Sequence, residues 1–377
     1  MMDQLIEKIN QKDAFQIVRN TYVSLTIWIV AFSLLYFCAN LFNSNEIKEF
    51  LIYALNYHFI IFSTIFAYHY AKQKKMDRVV GIIVGLSCSF SMVISFTSKL
   101  WLSIPSMIMI SVILCIINWI KSRTIQFKSF PPAVSQYVEN LIIPIFVFII
   151  LLIMNSIPNH VMNILVNILQ DIVYSLSTLP AILLIVGLTC YFWYQGVHGV
   201  SILGTLLRPF WTQMILMNLH AILTNQEMLY IGSEAFYQWF VWIGGSGATL
   251  GLCIACCLFA KSKQMKVLRQ IALSSGLFNI NEQVIFGMPI MQNRYLRIPF
   301  YSVSFINCCI AYFVIEQGYV AIPHVLAPWV APFFVGGILT SGPSINILLL
   351  ILGLLLVSFF LYLPFFLWYD KKLKSKE

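Results

Sequence analysis

The sequence predicts an all-α polytopic membrane protein of about ten transmembrane helices, with re-entrant or broken hairpins in its C-terminal half. Of the 377 residues, 60% are hydrophobic and only 10% are charged, and the mean hydropathy is +0.84. Several apolar runs are mostly near or above the ~20 residues that a helix needs to cross the hydrocarbon core of a bilayer. These runs lie at 21–41, 79–97, 101–120, 141–154 and 346–368.

The first part of the chain predicts a simple alternation of helices. Residues 1–20 are polar, and the apolar run that follows is too long for the apolar core of a signal peptide. Five helices are expected to alternate across the membrane up to residue 157. Pro131 and Pro132 predict a turn, because consecutive prolines do not continue a helix. Residues 161–176 have apolar side chains at helical spacing, which predicts an amphipathic helix along the membrane interface.

The basic residues predict the orientation of the chain in the membrane. They lie in short clusters, so the net charge of +9 does not indicate nucleic-acid binding. Cytoplasmic loops of membrane proteins are enriched in Lys and Arg. The loop at 43–49 is acidic and is expected outside the cell, whereas both termini are expected in the cytoplasm. The basic clusters that predict this orientation lie at 72–78, 121–128, 261–269 and 371–376.

After residue 178 the apolar runs become short and are interrupted by Gly and Pro. Irregular backbone at membrane depth is tolerated only where it is buried in protein or lines a wet cavity. Paired interruptions of this kind indicate the substrate site of a transporter. We therefore predict an N-terminal helical domain at 1–176, which ends in the interfacial helix, and a C-terminal transport domain at 177–377. The interruptions lie at 196–199, 208–209, 244–251, 276–289, 323–332 and 342–343.

Nine cysteines lie within or beside apolar runs. Cys253 and Cys256 have C-x-x-C spacing, but they lie on a hydrophobic helix with no His pair or second Cys pair nearby. Metal sites need such additional ligands, so buried small side chains are the better interpretation. We expect no metal and no cofactor.

Two ionisable residues of the second half lie in apolar surroundings. Glu282 lies within the largely apolar stretch 278–287, and His198 lies between Gly196 and Gly199. An ionisable group at bilayer depth costs about 2.5–3.5 kcal/mol on insertion scales, so such groups tend to face a cavity and to have a function there. Structural roles remain the alternative for both residues. Apolar surroundings raise the pKa of a carboxyl group and make it a better general base, so we expect Glu282 and His198 to form a proton-handling pair.

A glycine-rich segment and two tryptophans are further candidates. The segment Gly-Gly-Ser-Gly at 244–247 precedes a helix. Such residues allow close helix packing, or they present backbone N–H groups to hydroxyl and phosphate oxygens, and both interpretations stay open. Trp193 and Trp329 offer flat apolar faces of the kind that hold a ligand in a pocket, with simple packing as the alternative for each.

Three blocks of the chain together resemble the membrane (IIC) subunit of phosphotransferase-system (PTS) sugar transporters. The resemblance is nearest to the lactose/cellobiose/diacetylchitobiose family within the glucose superfamily, and it runs in order over most of the chain. The blocks are Trp-Tyr-Gln-Gly-Val-His-Gly at 193–199, Trp-Ile-Gly-Gly-Ser-Gly-Ala-Thr-Leu-Gly-Leu at 242–252 and Ile-Asn-Glu-Gln-Val-Ile-Phe-Gly-Met-Pro-Ile at 280–290.

The resemblance implies a phosphoenolpyruvate-dependent sugar phosphotransferase of the bacterial cytoplasmic membrane that works with separate IIA and IIB proteins. A disaccharide or β-glucoside would bind in the C-terminal domain, cross the bilayer and receive a phosphoryl group from the IIB phosphocysteine. Glu282 would accept the proton of the sugar hydroxyl, and His198 would hold or polarise that hydroxyl. The subunit would form a homodimer through its N-terminal helices. The residues that would line the sugar site are Trp193, Gly245, Ser246, Asn281 and Trp329.

Three positions depart from the pattern of this family. Gln283 stands where the family usually has Pro, and Glu234 and Gln238 stand where many members have Lys and Asp. Two alternatives are therefore kept. One is a facilitator on the same fold that moves sugar without phosphorylating it, and the other is a membrane receptor or scaffold that does not transport.

Overall fold

The computed structural model describes residues 11–96, 99–123, 159–288, 290 and 293–377, together with 145, 147–149, 152 and 156. The turn predicted at Pro131 and Pro132 and most of the apolar run predicted at 141–154 lie outside these residues. Every regular element within the described ranges is helical, which confirms the predicted all-α class.

The chain divides into two compact units. The first unit comprises Met1–Trp28 and Cys38–Asp171, and the second comprises Ile29–Phe37 and Ile172–Glu377. The domains predicted at 1–176 and 177–377, with their separate roles, stay a prediction. The helices described for the first unit are α1 (Asp13–Leu41), whose residues Ile29–Phe37 belong to the second unit, α2 (Asn45–Asn56), α3 (His58–Gln73), α4 (Arg78–Ser95) and α5 (Ser103–Arg123).

The second unit contains longer helices that alternate with short and irregular pieces. A single turn at Glu234–Phe236 continues into a π-helix at Tyr237–Val241. The α-helices in chain order are α6 (Asn159–Leu176), whose first residues belong to the first unit, α7 (Leu179–Tyr194), α8 (Gly199–Leu223), α9 (Leu250–Phe259), α10 (Lys263–Gly276), α11 (Glu282–Gly287), α12 (Arg297–Glu316), α13 (Phe333–Ser341) and α14 (Ile345–Lys374).

Four of the described helices, α1, α8, α12 and α14, are long and apolar enough to cross a membrane. The number rises to six if each bent pair counts as one span, namely α2 with α3 (bent by 47°) and α6 with α7 (bent by 69°). The predicted count of about ten transmembrane helices is therefore not confirmed, and the interfacial position predicted for residues 161–176 stays a prediction.

One predicted loop and one predicted interruption are wrong. The loop predicted at 43–49 is largely helical, because the Ser44 side chain accepts a hydrogen bond from the Ile47 amide at 3.3 Å and caps α2. The break predicted at 208–209 is absent, since Pro209 lies inside the continuous helix α8. Membrane helices tolerate an internal proline where neighbouring groups satisfy the freed backbone.

A buried asparagine in α8 fixes two loops of the second unit. The Asn218 amide donates to the carbonyl oxygens of Tyr230 at 2.7 Å and Pro323 at 2.9 Å. Its Oδ1 atom accepts a bond from the Tyr230 amide at 3.2 Å. In the loop that contains Pro323, the Leu326 amide donates to the Ser33 hydroxyl at 2.9 Å. Because buried polar groups need hydrogen-bond partners, these bonds give the loop that contains Trp329 a defined position.

A buried carboxylate near the end of α14 fixes the start of α10. Asp370 is only 2% exposed. It accepts hydrogen bonds from the amides of Lys261 at 2.7 Å and Ser262 at 3.1 Å, and from the Ser262 hydroxyl at 2.6 Å. Ser262 in turn caps α10, because its oxygen accepts a bond from the Met265 amide at 3.4 Å. The C-terminal helix is thereby attached to the turn between α9 and α10.

We predict that Asp370→Asn lowers the free energy of unfolding by about 1–3 kcal/mol, the range for losing bonds to a buried charged acceptor. The asparagine NH₂ group would face N–H groups that also donate. The measurement is thermal unfolding of the purified protein in detergent. Asp171→Asn, at an exposed carboxylate, is the matched control and should leave the midpoint unchanged. Equal midpoints for the two variants would contradict the role given to Asp370.

Candidate functional site

One cavity of the second unit brings together all seven residues predicted for the site. Its volume is about 550 Å³, within the range of about 300–1,000 Å³ that is usual for small-molecule sites. Its walls come from the start of α8, the π-helix, the turn before α9 and the segment before α11. The lining residues are Trp193, His198, Val200, Arg208, Glu234, Gln238, Trp242, Gly245, Ser246, Asn279, Ile280, Asn281, Glu282, Gln283 and Trp329.

His198 and Glu282 face each other across part of this cavity. The His198 Nε2 atom lies 3.6 Å from Glu282 Oε1, and the two side chains are 45% and 44% exposed. His198 immediately precedes α8, and Glu282 is the first residue of α11. A hydroxyl oxygen beside the two atoms can lie within hydrogen-bond distance of both. The arrangement therefore has the geometry that the predicted proton-handling pair requires.

The start of α8 determines which nitrogen of His198 has the proton. The Nδ1 atom accepts a hydrogen bond from the Ser201 amide at 3.1 Å, and the Ser201 hydroxyl lies 3.0 Å from the same nitrogen. Because a backbone N–H can only donate, the proton of the neutral ring lies on Nε2. The Trp193 ring packs against the imidazole, with the ring centroids 4.4 Å apart. His198 thus presents an oriented N–H donor beside Glu282.

The pKa of Glu282 lies below its ordinary value, so the raised pKa predicted from the apolar sequence neighbours is wrong. The main cause is the interaction with His198, and the backbone amides of Glu282 and Asn281 lower the pKa further. Burial acts in the opposite direction, but this side chain is half exposed and its desolvation is incomplete. Glu282 is therefore ionised at neutral pH and can accept a proton directly.

The glycine-rich turn at 244–249 adopts a conformation that requires glycine. Gly244, Gly245 and Gly247 have φ angles of 81°, 97° and 87°, in the left-handed region that only glycine adopts at little cost. A Cβ atom on Gly245 would clash with the Asn281 side chain, and one on Gly247 would clash with the Phe300 ring. The glycines therefore permit both the turn and its close packing.

The amides of this turn are already partly used inside the protein. The Gly244 amide donates to Asn279 Oδ1 at 2.7 Å, and the Gly245 amide donates to the Trp242 carbonyl at 2.8 Å. Neither is available to a hydroxyl or phosphate oxygen. Close packing is thus the better supported interpretation of the glycines, while Ser246, which is 6% exposed, still borders the cavity.

Asn281 connects the glycine-rich turn to the segment that contains Glu282. Its side chain is buried and donates to the Ser246 carbonyl at 2.6 Å and to the Thr249 hydroxyl oxygen at 3.1 Å. The Thr249 hydroxyl donates in turn to the Gly244 carbonyl at 2.8 Å. The amide nitrogen of Asn281 therefore acts within the protein, and the sugar contact expected of this residue stays a prediction.

Sequence reasoning missed a second charged pair in the cavity. Arg208 donates from Nε and Nη2 to the same oxygen of Glu234, Oε1, with both distances 3.1 Å. The two side chains are 24% and 20% exposed. The Oε2 atom of Glu234 remains able to accept from a ligand. An arginine in the middle of an apolar spanning helix is an unusual signal, but we interpreted Arg208 and Pro209 only as a helix break.

The π-helix and the loop after α12 add aromatic walls to the cavity. Trp242 follows the π-helix and stacks on Tyr237 at 5.3 Å between centroids. Gln238, within the π-helix, donates to the Trp329 carbonyl at 3.4 Å, and the Trp329 side chain is 62% exposed. π-Helical turns are frequent at functional sites. Here the turn places Gln238, one of the positions that depart from the family pattern, where it fixes Trp329.

Comparison with known proteins identifies the family. The profile "Phosphotransferase system, EIIC" matches residues 23–304, well over half of the chain. This chain belongs to the phosphotransferase system EIIC family. The resemblance that we found in the three sequence blocks is therefore confirmed.

Relatives of this EIIC chain are found among curated proteins and solved structures. The lichenan permease IIC component of Bacillus subtilis (strain 168) is 38% identical over 186 residues, which are 49% of this chain and 41% of that protein. The oligo-beta-mannoside-specific EIIC component of the same organism is 28% identical over 269 residues, 68% of this chain and 60% of the relative. Both matches cover less than two thirds of the relative's length.

The crystal structure of the transporter ChbC, the IIC component from the N,N'-diacetylchitobiose-specific phosphotransferase system, has the same fold. The TM-score is 0.83 at 25% sequence identity, and the superposition covers 99% of this chain and 97% of ChbC. The EIIC fold thus extends over nearly the whole chain.

We predict that Asn281→Ala destabilises the protein by about 1–3 kcal/mol and weakens ligand binding at the same time. The substitution removes two buried hydrogen bonds and releases the glycine-rich turn. Thermal unfolding and sugar binding would be measured on the same preparation. Asn346→Ala, which removes one bond from an exposed amide to the Tyr319 carbonyl, is the control. Lost binding with an unchanged unfolding midpoint would instead show that Asn281 contacts the sugar directly.

Proposed function

We propose that this EIIC chain is the membrane permease of a phosphoenolpyruvate-dependent phosphotransferase system for a disaccharide or β-glucoside of the cellobiose, chitobiose or lactose type. The observation that supports this most directly is the 3.6 Å approach of His198 Nε2 to Glu282 Oε1 in a cavity of about 550 Å³. The names of the relatives, which include lichenan, cellobiose and lactose components, support the same class of β-linked sugar.

In the proposed reaction one sugar hydroxyl lies between these two side chains. The Nε2–H group of His198 donates to the hydroxyl oxygen and orients it, and the Glu282 carboxylate accepts its proton. The oxygen attacks the phosphorus of a IIB phosphocysteine, so that a P–O bond forms, the P–S bond breaks and the thiolate leaves on IIB. Phosphoryl transfer depends mainly on positioning and charge stabilisation, so a carboxylate of lowered pKa is sufficient as the proton acceptor.

Arg208 and Glu234 are proposed to bind hydroxyl groups of the sugar that do not react. Both line the cavity, and the Oε2 atom of Glu234 can accept from a hydroxyl while the guanidinium donates to another. The charges of this pair cancel, which favours an uncharged sugar over a uronic acid or an amino sugar. Trp193, Gly245, Ser246 and Trp329 provide the apolar and small surfaces against which the rings would pack.

The remaining parts of the proposal concern topology and partners. The basic clusters support a cytoplasmic position for both termini under the positive-inside rule, where soluble IIA and IIB proteins would reach the sugar. The chain would lie in the bacterial cytoplasmic membrane and form a homodimer through its N-terminal helices.

Uptake of labelled cellobiose, chitobiose and lactose into membrane vesicles tests the proposal. The vesicles are supplied with or without phosphoenolpyruvate and the soluble proteins of the system. Sugar that accumulates only as its phosphate supports the proposal. Free sugar inside the vesicles would indicate a facilitator, and absence of uptake for every sugar would indicate a receptor or scaffold.

We predict that Glu282→Gln lowers sugar phosphorylation by at least about 10²-fold, the usual contribution of a general base. Sugar binding should persist, because glutamine keeps the shape and one hydrogen-bond acceptor. Phosphorylated sugar is measured by mass spectrometry, and binding is measured by calorimetry. Glu316→Gln, at an exposed glutamate, is the control. Undiminished phosphorylation by Glu282→Gln would remove the assignment of the base.

We predict that Arg208→Gln and Glu234→Gln each weaken sugar binding by about 10- to 100-fold, because each leaves a partly buried charge without its partner. The rate at saturating sugar should change little, since neither residue touches the reacting hydroxyl. Phosphorylation kinetics separate KM from kcat. Glu227→Gln, at an exposed glutamate of the loop after α8, should leave both constants unchanged. A fall in kcat alone would contradict the binding role.

A further inference from the structure

A second groove of this unit lies between helices α7 and α12, on the outer surface and apart from the sugar cavity. Its volume is about 570 Å³. Its walls are mainly aromatic and apolar, with Tyr191, Tyr194, Tyr301, Ile298 and Phe305 among the lining residues. Ile298 is 56% exposed, and α12 is long and apolar enough to cross a membrane. In a bilayer such an open groove faces lipid. We call it the α7–α12 groove.

A single charged residue, Arg297, lines this groove within the described part of the chain. Its Nη1 atom donates to the Tyr194 hydroxyl at 3.2 Å, and its guanidinium lies 5.3 Å from the centroid of the Tyr194 ring. No carboxylate among the described residues forms an ion pair with it. Tyr194 therefore orients a guanidinium whose remaining N–H groups and whose charge are available to an anion. Arginine forks match the geometry of phosphate oxygens.

The end of α12 that contains Arg297 belongs to a positively charged surface. Lys372, near the end of α14, donates to the Tyr295 hydroxyl at 3.2 Å, and Arg294 lies beside the same ring. Arg294 and Lys372 lower the pKa of the Tyr295 phenol, as a positive local potential would. Basic residues at the ends of spanning helices mark the cytoplasmic side, and the cytoplasmic leaflet contains the anionic lipids.

We propose that the α7–α12 groove binds an anionic phospholipid, with the headgroup phosphate on Arg297 and an acyl chain along Tyr301 and Phe305. The two halves of the groove match the two halves of this ligand, since one guanidinium lies at the end of an aromatic and aliphatic wall. Tyr194 directly follows Trp193, which packs under His198. The lipid would therefore lie beside Tyr194, the residue next to Trp193, which lines the sugar cavity.

The test is native mass spectrometry of the delipidated full-length protein in detergent. The protein is titrated with phosphatidylglycerol or with phosphatidylcholine of the same acyl chains, in the absence of sugar. We expect phosphatidylglycerol to bind about fivefold more tightly, the factor for one basic side chain at a membrane surface, and Arg297→Gln to abolish this preference. Arg294→Gln is the matched control, because Arg294 also lies 5.3 Å from a tyrosine ring but outside the groove.

Ser302→Trp provides an independent variant, because Ser302 lines the groove and the indole would fill its apolar part while Arg297 stays in place. It should lower phosphatidylglycerol binding about fivefold or more, since the loss of only about 40 Å² of apolar contact with the acyl chain corresponds to that factor, with an unchanged unfolding midpoint in detergent. The proposal is wrong if Arg297→Gln binds phosphatidylglycerol as tightly as the wild type does. It is also wrong if Arg294→Gln loses as much affinity for this lipid as Arg297→Gln does. Equal binding of the two lipids, or displacement of phosphatidylglycerol by inorganic phosphate alone, would also overturn it. Because sugar is absent, failure here leaves the proposed transport function untouched.

Discussion

The side-chain amide of Asn281 connects the glycine-rich turn to the segment that contains Glu282, and the geometry of the candidate site depends on this connection. A turn with three glycines at positive φ has little conformational preference of its own. The two hydrogen bonds from Asn281 select one conformation of it, and the absence of a Cβ atom on Gly245 permits the close approach. Because Glu282 directly follows Asn281, the same bonds determine where the carboxylate lies relative to His198.

The cavity combines two pairs of an acidic and a basic side chain. His198 with Glu282, and Arg208 with Glu234, each provide donors and acceptors, and the charges of Arg208 and Glu234 cancel. Such a site suits a neutral, hydroxyl-rich ligand that must be bound and then released. The interaction with His198 also limits the basicity of Glu282, whose pKa is lowered. A weak base is compatible with phosphoryl transfer, in which the catalyst mainly positions the reacting groups.

The predictions that failed inferred the surroundings of a residue in space from its neighbours in the sequence. Glu282 has apolar neighbours in the chain, yet its nearest partner in space is an imidazole, so its pKa moves down rather than up. Pro209 indicated a break, but α8 continues through it, which also concealed Arg208 as a cavity residue. The ion pair of Arg208 with Glu234 joins residues from two separate elements, and no local pattern indicates it.

The sequence alone determined that this is an all-α membrane protein and to which family it belongs, because hydropathy, Gly and Pro interruptions and contiguous motifs are local properties of the chain. It also indicated Glu282 and His198 as candidate site residues, because ionisable residues are rare in apolar stretches. Only the tertiary structure decided that these two side chains meet, which amides of the glycine-rich turn are already used, and that Arg297 lies at one end of an aromatic groove. Each of those facts depends on the packing of elements far apart in the chain, and periodicity along one element contains no information about its distance from another.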